Sequence, residues 1–260
     1  MKVSICAEMI YPGLPFIERV DKLYQQGFST FEFWAWKDKD LGELESRVER
    51  GMRVAAFSGQ RRGSLVEPAD HPGYVEEVKE SIEVARRLGC KHLMVLSDEL
   101  SEDGSVTTKY RPMDAEERAG NIALGLKQLA PVAEEREVTL LLEPLNTQVD
   151  HPGYSLNSSK AAFDIIKRVK SKSVKVLYDI YHLQIMEGNV IQTLRDNLEH
   201  IGYIHVADVP GRFEPGTGEL NYENIFKAIN DAGYQGYVGF EFQPKKDTDS
   251  ALAVIRDLTT

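Results

Sequence analysis

A repeated unit, in which a short apolar segment precedes a longer amphipathic one, constrains this sequence more than any other feature. The unit occurs eight times along the 260 residues. Short, partly β-branched apolar runs predict strands, and apolar residues that recur every three or four positions predict helices. The strands are predicted at residues 2–9, 30–35, 53–58, 92–97, 139–145, 174–180, 202–209 and 237–242. The helices are predicted at residues 15–26, 39–50, 74–88, 113–136, 158–169, 181–200, 221–232 and 248–258.

The strands and helices differ in where their apolar residues fall. The run Leu140-Leu141-Leu142 is continuous, as is typical of parallel strands buried on both faces. The fifth helix gathers its apolar residues on one side, at Ala162, Phe163, Ile166 and Val169. Eight such units in one chain of this length predict a closed (β/α)8 barrel that forms a single domain over residues 1–260.

A doubly wound open sheet is the alternative α/β architecture. Such folds carry a glycine-rich turn, G-x-G-x-x-G, after the first strand. Here the first strand leads into Tyr11-Pro12-Gly13-Leu14-Pro15, which lacks that pattern. The closed barrel is therefore favoured.

Composition excludes several classes of partner. The chain has 31 Lys and Arg against 41 Asp and Glu, a net charge of −10, whereas nucleic-acid binding needs a basic face. No apolar stretch approaches the roughly 20 residues of a membrane span. Cys6 and Cys90 lie in apolar runs, which favours buried free thiols, and the N-terminus lacks a secretory signal, so we expect a cytoplasmic protein. A homo-oligomer stays open, because the helical exterior of a barrel can be a subunit interface.

Four consecutive strands each carry an ionisable residue at the same end. These residues are Glu143, Asp179, His205 and Glu241, at intervals of 36, 26 and 36 residues, about one unit each. The carboxyl ends of barrel strands face the active site, so we expect the four side chains to meet there. Three carboxylates in one mouth repel each other unless a cation lies between them. With one imidazole they form a mostly oxygen site that suits Mg²⁺ or Mn²⁺ and tolerates Co²⁺.

Two of these residues are predicted to act on substrate protons. Glu143 and Glu241 follow non-adjacent strands, so they can flank the metal from opposite sides. One can take a proton from carbon while the other returns one. His182, three residues after Asp179, is expected to hydrogen-bond a substrate oxygen or to orient a ligand. The remaining histidines, including His151, are interpreted as structural.

Two segments resemble a known family. They are Glu143-Pro144-Leu145-Asn146 with its continuation to Tyr154, and the longer stretch from His205 to Tyr222, which contains Gly211-Arg212-Phe213-Glu214-Pro215-Gly216-Thr217-Gly218-Glu219. Together with the rest of the chain they resemble the hydroxypyruvate isomerase family of the xylose isomerase-like TIM barrel superfamily. The resemblance implies metal ligands at Glu143, Asp179, His205 and Glu241, with the two glutamates as the proton-transfer pair. It implies the interconversion of hydroxypyruvate and tartronate semialdehyde, or of a 2-oxo-tetronate, through an enediol.

Two other functions stay open. The related ketose 3-epimerases share the four metal positions and the His182 position, but they place a further glutamate where this chain has Val149. A non-catalytic scaffold that binds metal and sugar is the third hypothesis. The superfamily's DNA-repair endonucleases need more histidines and a basic rim, which this sequence lacks.

An acid substrate needs a cation for its carboxylate. Arg212, after the seventh strand, is the first candidate. Arg61 and Arg62, after the third strand, come next, and Lys109 is the weakest. The turn Gly216-Thr217-Gly218 could bind an anion through backbone N–H groups, but it is interpreted mainly as shaping the entry to a helix capped by Asn221.

Overall fold

The computed structural model describes residues 1–107 and 110–259. In them the strands are β1 Lys2–Cys6, β2 Thr30–Phe33, β3 Arg53–Ser58, β4 His92–Val95, β5 Thr139–Leu142, β6 Val174–Asp179, β7 Ile201–Val206 and β8 Tyr237–Phe240. The helices are α1 Phe16–Gln25, α2 Leu41–Glu49, α3 His71–Arg87, α4 Ala115–Glu135, α5 Ser159–Val169, α6 Ile180–Met186, α7 Val190–Asn197, α8 Tyr222–Asp231 and α9 Thr248–Thr259. Short 3-10 turns lie at Pro68–Asp70 and Leu198–His200.

The eight strands are parallel and close into one barrel, which confirms the predicted (β/α)8 fold. Each strand pairs with the next in sequence, and β1 pairs with β8. Parallel closure brings the carboxyl ends of all strands to one face. The register there aligns Asp179 with His205 and His205 with Gly239, so the ends of β6, β7 and β8 lie side by side.

The core has two parts, as a barrel wrapped in helices requires. The larger part lies between the strands and the helices, and it includes the predicted apolar face of α5. The smaller part consists of strand residues and fills the barrel, from Ala55 and Ala56 through Met94, Leu141 and Leu177 to Tyr203. Burial of this apolar area is the main term that stabilises the fold.

The structure departs from the predicted elements at the strand ends and, more clearly, in two helices. Every strand except β3 ends one to three residues before its predicted end. The third helix begins at His71 and not at residue 74. Proline is compatible with the first turn of a helix, so Pro72 lies inside α3 and not before it. The predicted helix 181–200 is wrong: Gly188 and Asn189 both have positive φ, +66° and 50°, and they end α6 before α7 begins. No helix in the described parts of the chain is long and apolar enough to cross a bilayer.

Candidate active site

The four predicted site residues converge at the carboxyl end of the barrel. Glu143 and Glu241 follow β5 and β8 directly, Asp179 is the last residue of β6, and His205 lies near the end of β7. All four are buried, with at most 8% of any side chain exposed. Ionisable groups at this depth are costly unless they are compensated, so their arrangement around one another decides the chemistry.

The imidazole of His205 lies at the centre of the group. Its Nδ1 is 3.6 Å from Glu143 Oε1, 3.5 Å from Glu241 Oε2 and 3.9 Å from Asp179 Oδ2. None of these contacts is a hydrogen bond, and Nδ1 has no hydrogen-bond partner among the residues that the structure describes. A buried, unpaired ring nitrogen therefore faces three carboxylate oxygens across a gap.

This arrangement fits a divalent cation. One ligand atom each from Asp179, His205 and Glu241 lies within 4.8 Å of the others, and Glu143 and Asp179 form a second such group with His182. Small side-chain movements would bring these oxygens and the imidazole nitrogen around one cation. The donor set is rich in oxygen, which suits Mg²⁺ or Mn²⁺.

Burial and neighbouring charges shift the pKa values of these four residues in opposite directions. Burial raises the pKa of Glu143, and His205 offsets this only in part. Burial also raises the pKa of Asp179, to about 7, against the charges of Arg212 and His205. Burial alone would raise the pKa of Glu241, but Arg212 and His205 outweigh it, and the pKa lies below its usual value. Burial would lower the pKa of His205, but the surrounding carboxylates outweigh it and raise the pKa well above normal.

Asp179 is held in place by the helix that follows it. Its Oδ1 accepts hydrogen bonds from the backbone N–H groups of Tyr181, at 2.7 Å, and His182, at 3.2 Å, so it caps α6. The other oxygen, Oδ2, is left to face His205. One carboxylate thus ends the strand, begins the helix and contributes to the site.

Glu32 is a site residue that the sequence analysis missed. It is fully buried on β2, and its Oε1 lies 2.9 Å from Nε2 of His205. Its Oε2 accepts a hydrogen bond from Tyr203 Oη. Carboxylates behind ligating histidines orient the ring, and Glu32 lies where it can do this. A glutamate in the otherwise apolar segment Phe31-Glu32-Phe33 was the available signal.

A second missed residue is Asn146, which follows β5 in the Glu-Pro-Leu-Asn segment. Its Nδ2 lies 2.7 Å from Nδ1 of His182, and its backbone N–H also points at that nitrogen, at 3.3 Å. His182 is fully buried, and burial, with smaller contributions from nearby positive charges, lowers its pKa well below normal. The imidazole is therefore neutral at neutral pH.

Arg212 lies over the site. Its Nη2 donates to Glu241 Oε2 at 2.5 Å and is 3.9 Å from Asp179 Oδ2, and the guanidinium lies 5.2 Å from the ring centre of Tyr181. Its backbone has a φ of 56°, the left-handed region that non-glycine residues seldom adopt. Strain of this kind persists where the surrounding structure enforces it.

The loop after β7 is built around the carboxylate of Asp208. Oδ2 accepts from the backbone N–H groups of Gly216, Thr217 and Gly218 at 2.8, 3.0 and 2.9 Å, and Oδ1 accepts from those of Val209 and Leu220 at 2.9 and 3.1 Å. The 216–218 turn does bind an anion, but that anion is the chain's own side chain. As predicted, Asn221 caps the next helix.

A cavity of about 190 Å³ opens onto the site. Its wall includes Glu143, Glu241, His182, Arg212 and Arg61. Trp34 also lines it and donates from Nε1 to Glu241 Oε1 at 2.6 Å.

Among the described residues, one predicted substrate-binding cation does not line this cavity, and one histidine interpreted as structural does. Arg62 is exposed and lines a neighbouring surface groove, and Lys109 falls outside the described residues. His151, interpreted from sequence as structural, forms part of the cavity wall.

Comparison with known proteins agrees with this architecture. Residues 20–258 match the family described as "Xylose isomerase-like TIM barrel". The hydroxypyruvate isomerase of Escherichia coli K12 is 30% identical over 260 residues, which cover 97% of each chain. The 2-oxo-tetronate isomerase of Cupriavidus necator is 31% identical over 259 residues, 95% of each chain.

Solved structures show the same fold. A Brucella melitensis protein described as an AP endonuclease of family 2 superposes with a TM-score of 0.87 at 25% identity, over 98% of both chains. The D-psicose 3-epimerase of Clostridium cellulolyticum H10 superposes with a TM-score of 0.79 at 21% identity, over 100% of this chain and 91% of that one. The likeness to the epimerase shows the fold alone. This chain belongs to the xylose isomerase-like TIM barrel family and, within it, to the hydroxypyruvate isomerase family of enzymes.

Proposed function

We propose that the protein is a divalent-metal-dependent isomerase of a small hydroxy-oxo acid. The reaction moves a carbonyl group between adjacent carbons, as between hydroxypyruvate and tartronate semialdehyde or within a 2-oxo-tetronate. The observation that carries the proposal is the pair Glu143 and Glu241. They are two buried carboxylates from the ends of β5 and β8, and they approach the same imidazole nitrogen and line the same cavity. The names of the two most informative relatives support the substrate class.

The residues of this chain suit the proton movements of such a reaction. One glutamate takes the proton from the hydroxyl-bearing carbon, and the electron pair of that C–H bond forms the carbon–carbon double bond of an enediol. The second glutamate returns a proton to the former carbonyl carbon, and the hydroxyl proton passes between the two oxygens. A divalent cation held by Glu143, Asp179, His205 and Glu241 would stabilise the negative charge that develops on those oxygens.

Arg212 and Arg61 are the cations that we assign to the substrate carboxylate. Both line the cavity, whereas Arg62 lies on the adjacent surface. The planar guanidinium can bind a carboxylate through two parallel hydrogen bonds. Arg212 is the stronger candidate because only 18% of its side chain is exposed and its backbone N–H donates to the carbonyl oxygen of Asp208 at 3.1 Å.

A ketose 3-epimerase is the second candidate. The same proton-transfer pair and the same arrangement of buried carboxylates around His205 would serve its chemistry. The site lacks the sugar-binding glutamate of those enzymes, because Val149 takes that position and is 65% exposed. The oxo-acid reaction is therefore preferred.

Deuterium exchange tests the proposal. The protein is incubated in D₂O with Mn²⁺ and hydroxypyruvate, a 2-oxo-tetronate or D-fructose, the Mn²⁺ is then removed with EDTA, and carbon-bound deuterium is measured by proton NMR. We expect exchange and product from an oxo acid, and none if EDTA is present from the start. Faster conversion of fructose would favour the epimerase, and tight metal binding without exchange would indicate a binding scaffold.

Glu143→Gln separates chemistry from folding. It should lower turnover by several orders of magnitude, because a proton acceptor and a metal ligand are lost together. Glu223→Gln, on the exposed side of α8, is the matched control and should retain wild-type turnover. Wild-type activity in Glu143→Gln would refute the assignment.

A further inference from the structure

The side-chain amide of Asn146 has only one chemically consistent orientation. Its Oδ1 lies 3.0 Å from the backbone nitrogens of both Val149 and Asp150. Backbone N–H groups only donate, so the atom facing them must be the oxygen. The NH₂ group therefore points the other way, toward His182.

Both hydrogens of that NH₂ group are engaged. One is donated to Asp150 Oδ2 at 2.7 Å and the other to His182 Nδ1 at 2.7 Å. The backbone N–H of Asn146 faces the same ring nitrogen at 3.3 Å. Nδ1 thus has two donors directed at it and can only accept. A neutral imidazole that accepts at Nδ1 carries its proton on Nε2.

The Nε2–H of His182 is available to a ligand. The side chain is fully buried, lines the cavity, and has no hydrogen-bond partner for Nε2 within residues 1–107 and 110–259. Asp179 Oδ2 lies 3.5 Å away. A buried donor without a partner is costly, so a ligand oxygen that accepts from it gains binding energy.

His151, on the same cavity wall, has the opposite tautomer, with its proton on Nδ1. Its Nδ1 lies 2.9 Å from the carbonyl oxygen of Gly104, so this nitrogen carries the proton. The approach is close: a Cβ at Gly104 would lie 3.1 Å from that nitrogen and 2.8 Å from the Asp150 carbonyl oxygen. The Nε2 of His151 is then a hydrogen-bond acceptor.

We infer that Asn146 is a positioning residue that fixes His182 as the Nε2–H tautomer. In this state His182 donates to a carbonyl or enediolate oxygen of the substrate and does not accept a proton from carbon. Proton transfer is thereby left to Glu143 and Glu241. The catalytic meaning rests on the proposed function, whereas the tautomer itself follows from the hydrogen bonds alone.

Nitrogen-15 NMR of the full-length protein, labelled at histidine and saturated with Mg²⁺, reads the tautomer directly. Protonated and unprotonated ring nitrogens have well-separated shifts, and the His182 signals are those missing from His182→Gln. We expect Nε2–H at His182 and Nδ1–H at His151 in the same spectrum. Protonation of His182 at Nδ1, or a metal-induced loss of the Nε2 proton, would overturn the inference.

Asn146→Asp tests the cause. The aspartate still accepts from the two backbone N–H groups but presents an oxygen to His182, so the ring should change to the Nδ1–H tautomer. The kcat should fall by about 100-fold with a smaller change in KM, as for loss of one donor to a developing oxyanion. Asp150→Ala is the matched control, since it perturbs the same amide but retains its bond to His182, and should keep Nε2–H.

If repulsion between the introduced carboxylate and Asp150 prevents folding, Asn146→Asp is combined with Asp150→Asn. An unchanged His182 tautomer in the folded variant would refute the role of the Asn146 side chain, because only its backbone N–H would then face Nδ1. Failure of the wild type to turn over any oxo acid or ketose would instead refute the proposed function, because the NMR measurement needs no substrate.

Discussion

Replacing Asp208 should destabilise the protein and misplace Arg212 together. The carboxylate is fully buried and accepts five backbone N–H groups from the loop that carries Arg212. In Asp208→Asn, an NH₂ group takes the place of one oxygen. The loop therefore loses either the two acceptor contacts to Val209 and Leu220 or the three to the 216–218 turn.

The expected cost follows from that count. A buried donor left without an acceptor costs about 1–3 kcal/mol. Two such donors give about 2–6 kcal/mol, and because these amides are only part-buried, water compensates some of the loss. We expect Asp208→Asn to lower the free energy of unfolding by about 2–4 kcal/mol, or the melting temperature by about 4–16 °C. Asp208→Ala removes all five acceptor contacts and should leave little folded protein.

Urea denaturation and steady-state kinetics measure the two effects. Asp208→Asn should shift the urea midpoint with an unchanged slope, and kcat/KM should fall at least about 10-fold because Arg212 loses its fixed position over Glu241. Asp257→Asn, an exposed carboxylate on α9, is the control and should match wild type. A free energy of unfolding within about 0.5 kcal/mol of wild type would refute the reasoning, since surface substitutions have effects of that size.

Three further predictions concern the barrel. Glu32→Gln, which removes the charge beside His205 Nε2, should weaken Mn²⁺ binding by about 10–100-fold in calorimetry; unchanged affinity would contradict an orienting role. Gly239→Ala should yield mostly insoluble protein, because its Cβ would overlap the buried Glu32 carboxylate, and wild-type solubility would count against that clash. Burial lowers the pKa of His92, so below about pH 6.5 the unfolded chain binds a proton that the folded chain does not, and the protein loses stability as the pH falls. In urea titrations, His92→Gln should remove up to about 1.4 kcal/mol per pH unit of this loss, and an unaltered pH dependence would refute the contribution of His92.

The fold and the four converging residues could be predicted because local pattern and barrel geometry determine them. Alternating strands and helices leave one closed parallel topology, and that topology brings Glu143, Asp179, His205 and Glu241 to one face. The break in the predicted helix 181–200 was harder to foresee. It depends on two consecutive left-handed residues, and although glycine and asparagine both tolerate this conformation, neither requires it.

Side-chain contacts between residues far apart in the sequence could not be predicted from its local pattern. Glu32 meets His205 through pairing that joins residues more than 170 positions apart, and nothing local to β2 identifies the partner. The Asn146–His182 hydrogen bond likewise joins the ends of neighbouring strands. Arg212 lies beside the site, but its ion pair with Glu241 comes with a left-handed backbone in the loop around Asp208, which no sequence pattern indicates.

The contact between Glu32 and His205 couples a residue buried inside the barrel to a residue of the candidate active site, so the two affect stability and activity together. A variant that loses this histidine leaves a carboxylate buried beside Tyr203 without the imidazole that faces it, which is costly at zero exposure. Inactivating substitutions at this position should therefore also reduce the amount of soluble protein in a cell. In a mutational scan, abundance and growth phenotypes would fall together here, whereas at Glu143 they would separate.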